Sequence, residues 1–391
     1  LRAIENLRVV FLNPSRSWGG AEKSSFSVAH RLSKKALYRV FYRTGMVESA
    51  IPAIYRNSTL DVGRIDISPW FPFKKPAALF RDVVTVKKFI TDFCGGNSDF
   101  TVFFGIMHYA SFLLSFLRKI SPGPFGVIAS PRGPLTPFIK HMVKDPLERF
   151  GLILATRFFC KFSDLVLTPS MGTWNDLVKN YGAPASRGRV VPNFVELPSE
   201  ASKTSLYDLP ERPRVCWVGR LDRERNVEQL LNIFARISRS VSGSLIIVGD
   251  GPHRSIVENF IEAEAPGSRV FFAGFREDVS PFLGASDIFV HTCLFDGCPN
   301  SLLEACAAGL AVVAQNCPYG PAEILDGGKY GILVNSEAEL EYALKELLTD
   351  EALRRKFSSL ARERAAYYSA EKTVSGYESV IDEVFRKRRG H

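Results

Sequence analysis

The 391-residue sequence is sparing with the residues that mark several functional classes. Its seven cysteines include no C-x-x-C pair and no Cys/His cluster at zinc spacing, so they read as reduced, mostly buried thiols of a cytosolic protein. There is no G-x-G-x-x-G fingerprint, which disfavours a nicotinamide cofactor. There is no Asp-x-Asp ligand pair either, so no metal is expected. Zinc fingers and RNA-binding signatures are absent, which argues against a nucleic acid partner. One run of 18 residues without formal charge, "FTVFFGIMHYASFLLSFL", residues 100 to 117, is close to the minimum for a membrane span. Gly105, His108, Tyr109, Ser111 and Ser115 interrupt it, and it divides into a strand over 100–105 and a helix starting near Tyr109. The apolar run "VVFLNP" is too short for a signal-peptide core.

What is present is an ordinary globular composition, 46% hydrophobic and 23% charged, at a length that implies two domains. The charge is unevenly placed. Residues 1–190 hold 27 Lys+Arg against 12 Asp+Glu, a net +15, whereas residues 191–391 hold 23 against 29, a net −6. The contrast is either incidental surface charge or the mark of a first half that faces an anionic partner such as a membrane surface. Lys74-Lys75, Lys87-Lys88 and the terminal "FRKRRGH" add to the second reading, as does a stretch over 138–162 where basic residues and phenylalanines interleave like an interfacial helix.

Short β-rich runs alternate with helical patterns along the whole chain, which predicts parallel α/β sheets. Strands are expected at 8–13, 38–44, 100–105, 125–130 and 165–170, then again at 214–219, 244–249, 269–274, 287–292, 311–315 and 331–334. Helices are expected at 21–35 and 79–93, and near 227–239, 253–264, 301–308 and 337–347. Between the halves, residues 195–214 are rich in Pro, Ser and charge, as a linker is. Doubly wound sheets bind ligands beyond the carboxyl ends of their strands, so functional residues belong in the loops that follow strands.

Three such loops carry chemistry. Gly19-Gly20 precede a helix and either cradle an anion or form a plain tight turn. Arg220 and Arg225 follow Gly219 and suit a diphosphate, although Arg223, Asp222 and Glu224 make surface ion pairs an equal alternative. The stretch "LFDGCPNSLLEACAAG", residues 294 to 309, holds Asp296 and Glu304 around a short helix that Gly309 ends in a left-handed cap. There Ser301-x-x-Glu304 fits a capping box, while Glu304 among small alanines also suits the vicinal diol of a ribose.

Together the loops resemble those of the retaining nucleotide-sugar glycosyltransferases of family 4, and the likeness covers nearly the whole chain. "WGGAE", "VGRLDRERN", "VGDGP" (248–252), "VVPNFVE" (190–196) and the stretch from 294 through "AVVAQNCPYGPAEILDGGKYGILV" stand in the family's order and spacing. The resemblance implies the GT-B fold, two Rossmann-like doubly wound domains facing a central cleft. Its divisions would be an acceptor-binding domain over 1–194, a nucleotide-sugar-binding domain over 195–372 and a C-terminal helix, 373–391, packing back on the first domain. It makes Arg220 and Arg225 the diphosphate ligands, Glu304 the ribose ligand and Asp296 the group nearest the donor sugar. Gly19, Gly20, Arg132 of "SPRG", Gly219 and the helix start at Asn300, Ser301 and Leu302 complete the implied donor site.

Three positions depart from the family pattern: Asp296 stands for Glu, Arg225 for Lys, and Asn226 for Gly. A carboxylate one methylene shorter alters reach by about an ångström, enough to affect catalysis. Asn is the best substitute for Gly where a positive φ is required. The implied activity is metal-independent, retaining transfer of a sugar from a nucleoside diphosphate donor, a UDP-sugar, to a hydroxyl of a glycan or lipid-linked glycan in cell-surface polysaccharide synthesis. The expected setting is cytoplasmic, peripheral on the inner face of the plasma membrane. The alternatives are a nucleotide-sugar epimerase of the same fold and a non-catalytic sugar-nucleotide binder.

Overall fold

The computed structural model describes residues 7–52, 55, 59–94, 100–196, 209–263, 269–317 and 319–389. The chain forms two compact units, Leu1–Pro192 with Glu371–His391 (unit 1) and Asn193–Ala370 (unit 2). Of the linker read at 195–214, residues 197–208 lie outside the described residues.

Unit 1 is built on β1 (Leu7–Asn13), β2 (Tyr38–Thr44), β3 (Asp61–Arg64), β4 (Thr101–Ile106), β5 (Phe125–Ser130), β6 (Leu165–Thr168) and β7 (Gly188–Val190). Its helices are α1 (Gly20–Ser33), α2 (Pro76–Cys94), α3 (Met107–Ile120), α4 (Leu135–Met142), α5 (Pro146–Phe162) and α6 (Met171–Tyr181), and the C-terminal α14 (Ala370–Arg389) joins them from Glu371 onward. The strands pair in parallel in the order β3-β2-β1-β4-β5-β6-β7. β1, β4, β5 and β6 are buried at every residue, which is why the sequence shows them as continuous apolar runs and not as alternation. Aromatic rings fill much of this core, with Phe11 stacked on Phe104 at 4.7 Å and Phe26 on Tyr42 at 3.6 Å.

Unit 2 repeats the plan with β8 (Arg214–Val218), α7 (Val227–Ile237), β9 (Ser244–Val248), α8 (Arg254–Ala263), β10 (Val270–Gly274), α9 (Ser280–Gly284), β11 (Ile288–His291), α10 (Asn300–Ala308), β12 (Ala311–Gln315), α11 (Gly320–Ile324), β13 (Ile332–Val334), α12 (Glu337–Thr349) and α13 (Glu351–Ala365). Its parallel sheet runs β10-β9-β8-β11-β12-β13. The core here is mostly aliphatic. α7 shows how it is held: Val227, Leu230, Leu231, Phe234 and Ile237 recur at helical spacing and are all buried. Each such side chain contributes about 1.5–3 kcal/mol on burial.

The strand order reverses between β1 and β4 in one sheet and between β8 and β11 in the other, and ligands of doubly wound sheets sit at such switch points. That places the loops after β1, β8 and β11 at the positions that matter.

Several expectations need correction. β3 and β7 were not expected; their patterns are half exposed, without an apolar signature. The stretch 138–162 is not one helix: α4 ends at Met142, and α5 restarts at Pro146 with Asp145 as its N-cap, accepting the Leu147 and Glu148 amides at 3.0 and 3.1 Å. Proline at the first helical position and Asp before it are a start signal that outweighs the interleaved periodicity. Residues 100–117 are β4 followed directly by α3, and among the described residues no helix is long and apolar enough to cross a membrane.

Candidate functional site

In unit 2 the loop 219–226, between β8 and α7, is shaped by close backbone contact with the loop after β9. Gly249, at φ +147°, lies so near this loop that a β-carbon there would stand 1.8 Å from the Gly219 carbonyl oxygen; at Gly251 it would meet that of Leu221 at 2.4 Å. Hydrogen bonds from Leu221 N to Asp250 O (2.9 Å) and His253 N to Leu221 O (2.9 Å) fix the register. The loop ends at Asn226, in the left-handed region (φ +51°, ψ +44°), where it caps α7. Asn thus adopts the conformation that the family's Gly would supply.

Arg225 leaves this loop toward the loop after β11 and donates from one guanidinium nitrogen to Asp296 Oδ2 at 2.5 Å. The two side chains are 27% and 12% exposed, so the pair sits at the rim of the protein interior. Asp296 is also fixed from its own side, since Oδ1 accepts the Cys298 amide at 3.1 Å and its carbonyl accepts the Gly320 amide at 2.8 Å. Leu294 N donates to Glu224 O (2.9 Å) and Thr292 Oγ1 to Arg225 O (2.7 Å), tying the two loops together. Arg220 is exposed, its nearest carboxylate Asp222 being 3.6 Å away.

α10 begins beside Asp296. Its N-cap is Pro299, which has no side chain able to accept, and no acidic residue lies in the first turn. Ser301 is inside the helix, so the Ser301–Glu304 capping box is not formed. The first-turn amides of Asn300, Ser301 and Leu302 have no partner within the helix, and they point with the positive end of its dipole toward the loop mouth. Leu302 is fully buried, so only its backbone is on offer. Glu304 lies one turn further on, half-buried, and Gly309 closes the helix in the left-handed conformation (φ +76°), as its position in the sequence predicts. Asn193 braces this end: its amide nitrogen donates to Cys298 O at 2.9 Å and to Asn300 Oδ1 at 2.8 Å.

Two residues of this cluster escaped sequence reasoning. Burial pushes the Glu224 carboxyl up to about 7, with Asp296 and Asp222 adding to the rise and Arg225 and Arg220 opposing it. His291, at the end of β11, is buried with neither ring nitrogen hydrogen-bonded; its Nε2 is 4.0 Å from Asp296 Oδ2, and burial lowers its pKa to about 4. Glu224 reads as ordinary in sequence because only the pairing of β8 with β11 brings it to Asp296; His291 is close in sequence, but its burial without a hydrogen bond shows only in the fold. Burial likewise raises the Cys293 thiol well above its usual range, so it is neutral. His291, Cys293 and Asp296 bring possible ligand atoms within 4.8 Å of one another. Asp296, however, already has the Arg225 guanidinium as its cation.

The remaining predicted residues, Gly19, Gly20 and Arg132, lie in unit 1. Gly19 is the N-cap of α1 in extended conformation, and a β-carbon there would stand 2.9 Å from Glu22 Oε2. Arg132 donates to Tyr377 Oη and Ser24 Oγ, both at 2.9 Å. Around them Asn13 donates to Glu22 (3.3 Å) and to Tyr42 Oη (3.0 Å), which also shares a 2.7 Å hydrogen bond with Ser25. Glu22 is buried and its pKa is raised, burial outweighing the hydrogen bonds and the Arg132 charge that lower it.

Residues 18–198 match the family described as Glycosyltransferase Family 4, and residues 212–350 match Glycosyl transferases group 1. The chain is similar to an uncharacterized glycosyltransferase of Methanocaldococcus jannaschii, 24% identical over 63% of this chain and 72% of that protein. It is similar to the N-acetylgalactosamine-N,N'-diacetylbacillosaminyl-diphospho-undecaprenol 4-alpha-N-acetylgalactosaminyltransferase of Campylobacter jejuni, 26% identical over 59% of this chain. That match spans 63% of the relative, just under two thirds of its length. Among solved structures, Anabaena HepE in complex with UDP and glucose superposes with a TM-score of 0.78 over 96% of this chain and 99% of that one, at 18% identity.

Proposed function

The chain belongs to the family 4 glycosyltransferases and has their two-Rossmann-domain GT-B fold, and from that premise we propose that unit 2 binds a nucleoside diphosphate sugar, a UDP-sugar, for retaining transfer to a glycan or lipid-linked acceptor. The observation that carries this reading is the Arg225–Asp296 pair beside an uncapped helix N-terminus. Arg220, Arg225 and the amides of Asn300, Ser301 and Leu302 bind the diphosphate and neutralise the charge that builds on it as the glycosidic bond breaks. Glu304 accepts the ribose hydroxyls. Asp296, released from Arg225 as the phosphate takes its place, accepts from a hydroxyl of the donor sugar. In unit 1 the Gly19-Gly20 loop approaches donor phosphate, and Arg132, held by Ser24 and Tyr377, positions a sugar hydroxyl.

No metal is assigned to this reaction, because the guanidinium groups supply the charge compensation; unchanged transfer in excess EDTA is the expected result. HepE is in complex with UDP and glucose, and the C. jejuni enzyme's name describes a diphospho-undecaprenol substrate. Those names support a UDP donor and a lipid-linked acceptor. A thermal-shift series of UDP, GDP and ADP with their sugars tests the reading, since stabilisation follows affinity. Stabilisation by none of them would sink it.

Peripheral attachment to an anionic inner leaflet belongs to the same proposal. Leu147, Phe150 and Leu154 are exposed on α5, interleaved with Arg149 and Arg157, and Phe80 and Val84 are exposed on α2. Binding to anionic but not to neutral liposomes is the expected outcome. A second reading, epimerisation of the donor, draws on Glu224 and His291 as acid/base groups near Asp296. Turnover of donor in the absence of acceptor would favour it.

A further inference from the structure

Unit 1 has a second charged feature, remote from the loops described above. It is a cavity of about 570 Å³ at the amino-terminal edge of the seven-stranded sheet, where α3 and α5 end and β5 and β6 begin. Substrates of doubly wound sheets bind at the opposite, carboxyl edge, so this cavity is not part of the Gly19–Arg132 cluster.

Its walls carry six cations, Arg118, Lys119, Lys161, Arg187, Lys387 and Arg388, against one carboxylate, Asp164. Some of that charge is answered within the protein. Arg388 is paired with Asp164, whose other oxygen accepts the Val127 amide at 2.8 Å. Arg187 donates to the carbonyls of Lys161 and Ser163 and closes the end of α5. The C-terminal ends of α3, α5 and α14 each add about half a negative charge, so with Asp164 they offset roughly two and a half of the positive charges. About +3.5 remains.

The unanswered charge has an address. Arg118 Nε is buried without a hydrogen-bond partner, and burial together with the nearby Arg388 opposes the charge on that guanidinium. Lys119 and Lys161 make no ion pair among the described residues, and their ammonium groups lie 5.3 and 5.6 Å from the Phe162 ring centroid, one ring shared by two like charges. Convergent cations around a hollow cost free energy unless an anion joins them. Phosphate meets the requirement: it carries up to two negative charges and presents several acceptor oxygens to guanidinium forks and ammonium groups alike. The geometry points to a phosphate-binding site at this edge of unit 1, taking the phosphate or diphosphate group of a soluble metabolite or of a lipid.

The test uses the full chain with excess UDP present and titrates inorganic pyrophosphate calorimetrically. A parallel arm sediments the protein with phosphatidylcholine vesicles with and without phosphatidic acid. Lys119→Gln/Lys161→Gln is compared with Arg355→Gln/Lys356→Gln, a charge-matched, exposed pair on α13 of unit 2. Because neither Lys119 nor Lys161 is ion-paired among the described residues, the substitution strips no described carboxylate of its partner, and circular dichroism verifies the fold; Lys387→Gln is a second probe of the same site. In at least one arm, the cavity variant is expected to lose affinity at least about tenfold while the α13 control loses less than about twofold, tenfold being near 1.4 kcal/mol. Loss with pyrophosphate assigns a soluble ligand, and loss only with phosphatidic acid vesicles assigns a lipid. Equal binding by the cavity variant and the α13 control in both arms, or no binding in either, overturns the site.

Discussion

The loops at the carboxyl edges of the two sheets are built to opposite plans. In unit 1 the polar groups are mutually committed: Arg132 to Ser24 and Tyr377, Asn13 to Glu22 and Tyr42, with the carboxyl buried beneath Gly19. In unit 2 the groups are under tension. Arg225 holds Asp296 at the rim, Arg220 is exposed, Glu224 is pushed up to about 7 and the α10 N-terminus has no side-chain cap. A network that satisfies itself rigidifies its loop, whereas one that leaves charge exposed at its rim retains free energy for a ligand. The difference marks unit 2 as the place where an anionic donor gains most.

The strongest way to break that contrast is Arg225→Ala. Loss of a charge aimed at the leaving group should lower kcat/KM by about 10²–10³-fold in steady-state transfer assays. A drop below about fivefold would mean that the ion pair only holds two loops together. Gly249→Ala should come next, because the added carbon would collide with the Gly219 carbonyl and the residue sits at φ +147°. The expected cost is about 1–3 kcal/mol of backbone strain, read as a lower thermal midpoint together with weaker UDP binding. Gly133→Ala is the control, since nothing lies within 4 Å of its added carbon.

In unit 1 the contrast predicts a different signature. Arg132→Met removes two hydrogen bonds from a charged donor and should cost about 2 kcal/mol of stability in urea unfolding. Its effect on kcat should be smaller than that of Arg225→Ala. A larger loss of kcat than of stability would show that Arg132 works on substrate directly.

The smallest effect concerns pH. Glu224 binds its proton up to about pH 7, so below that value the site carries one negative charge fewer. Affinity for UDP should therefore fall several-fold as pH rises from 6 to 8, and Glu224→Gln should flatten the profile. The same group contributes to stability in the same direction: its raised pKa means that folding favours the protonated form, and that contribution is lost as pH rises from about 4.5 through about 7.

Where a single strand or loop carries the signal, the sequence is a faithful guide. Val9, Val10, Phe11 and Leu12 announce a strand buried on both faces, and Gly309 announces the end of α10. Asn226 could be read as a left-handed residue from its place in a loop that resembles one with Gly there. What depends on two distant segments was not legible. Ser301 and Glu304 have the spacing of a capping box, yet Pro299 starts the helix earlier, which only the backbone reveals. Arg225 and Asp296 read as two separate ligands, and nothing in their local context says that they bond to each other at 2.5 Å. The six cations of the basic cavity come from four separate segments, so their convergence is invisible until the sheet is assembled.

The cysteines have a practical consequence. Six of the seven are buried, and burial pushes Cys160, Cys216, Cys306 and Cys317 up to about 12. Since only the thiolate reacts, each of those four stays neutral at pH 7 and is screened from reagents as well. A cysteine introduced on an exposed loop would thus be alkylated long before the native buried thiols. With half-buried Cys94 replaced by Ser, fluorescent or spin labels could then be placed one at a time, and the Arg225 loop could be followed as nucleotide is added.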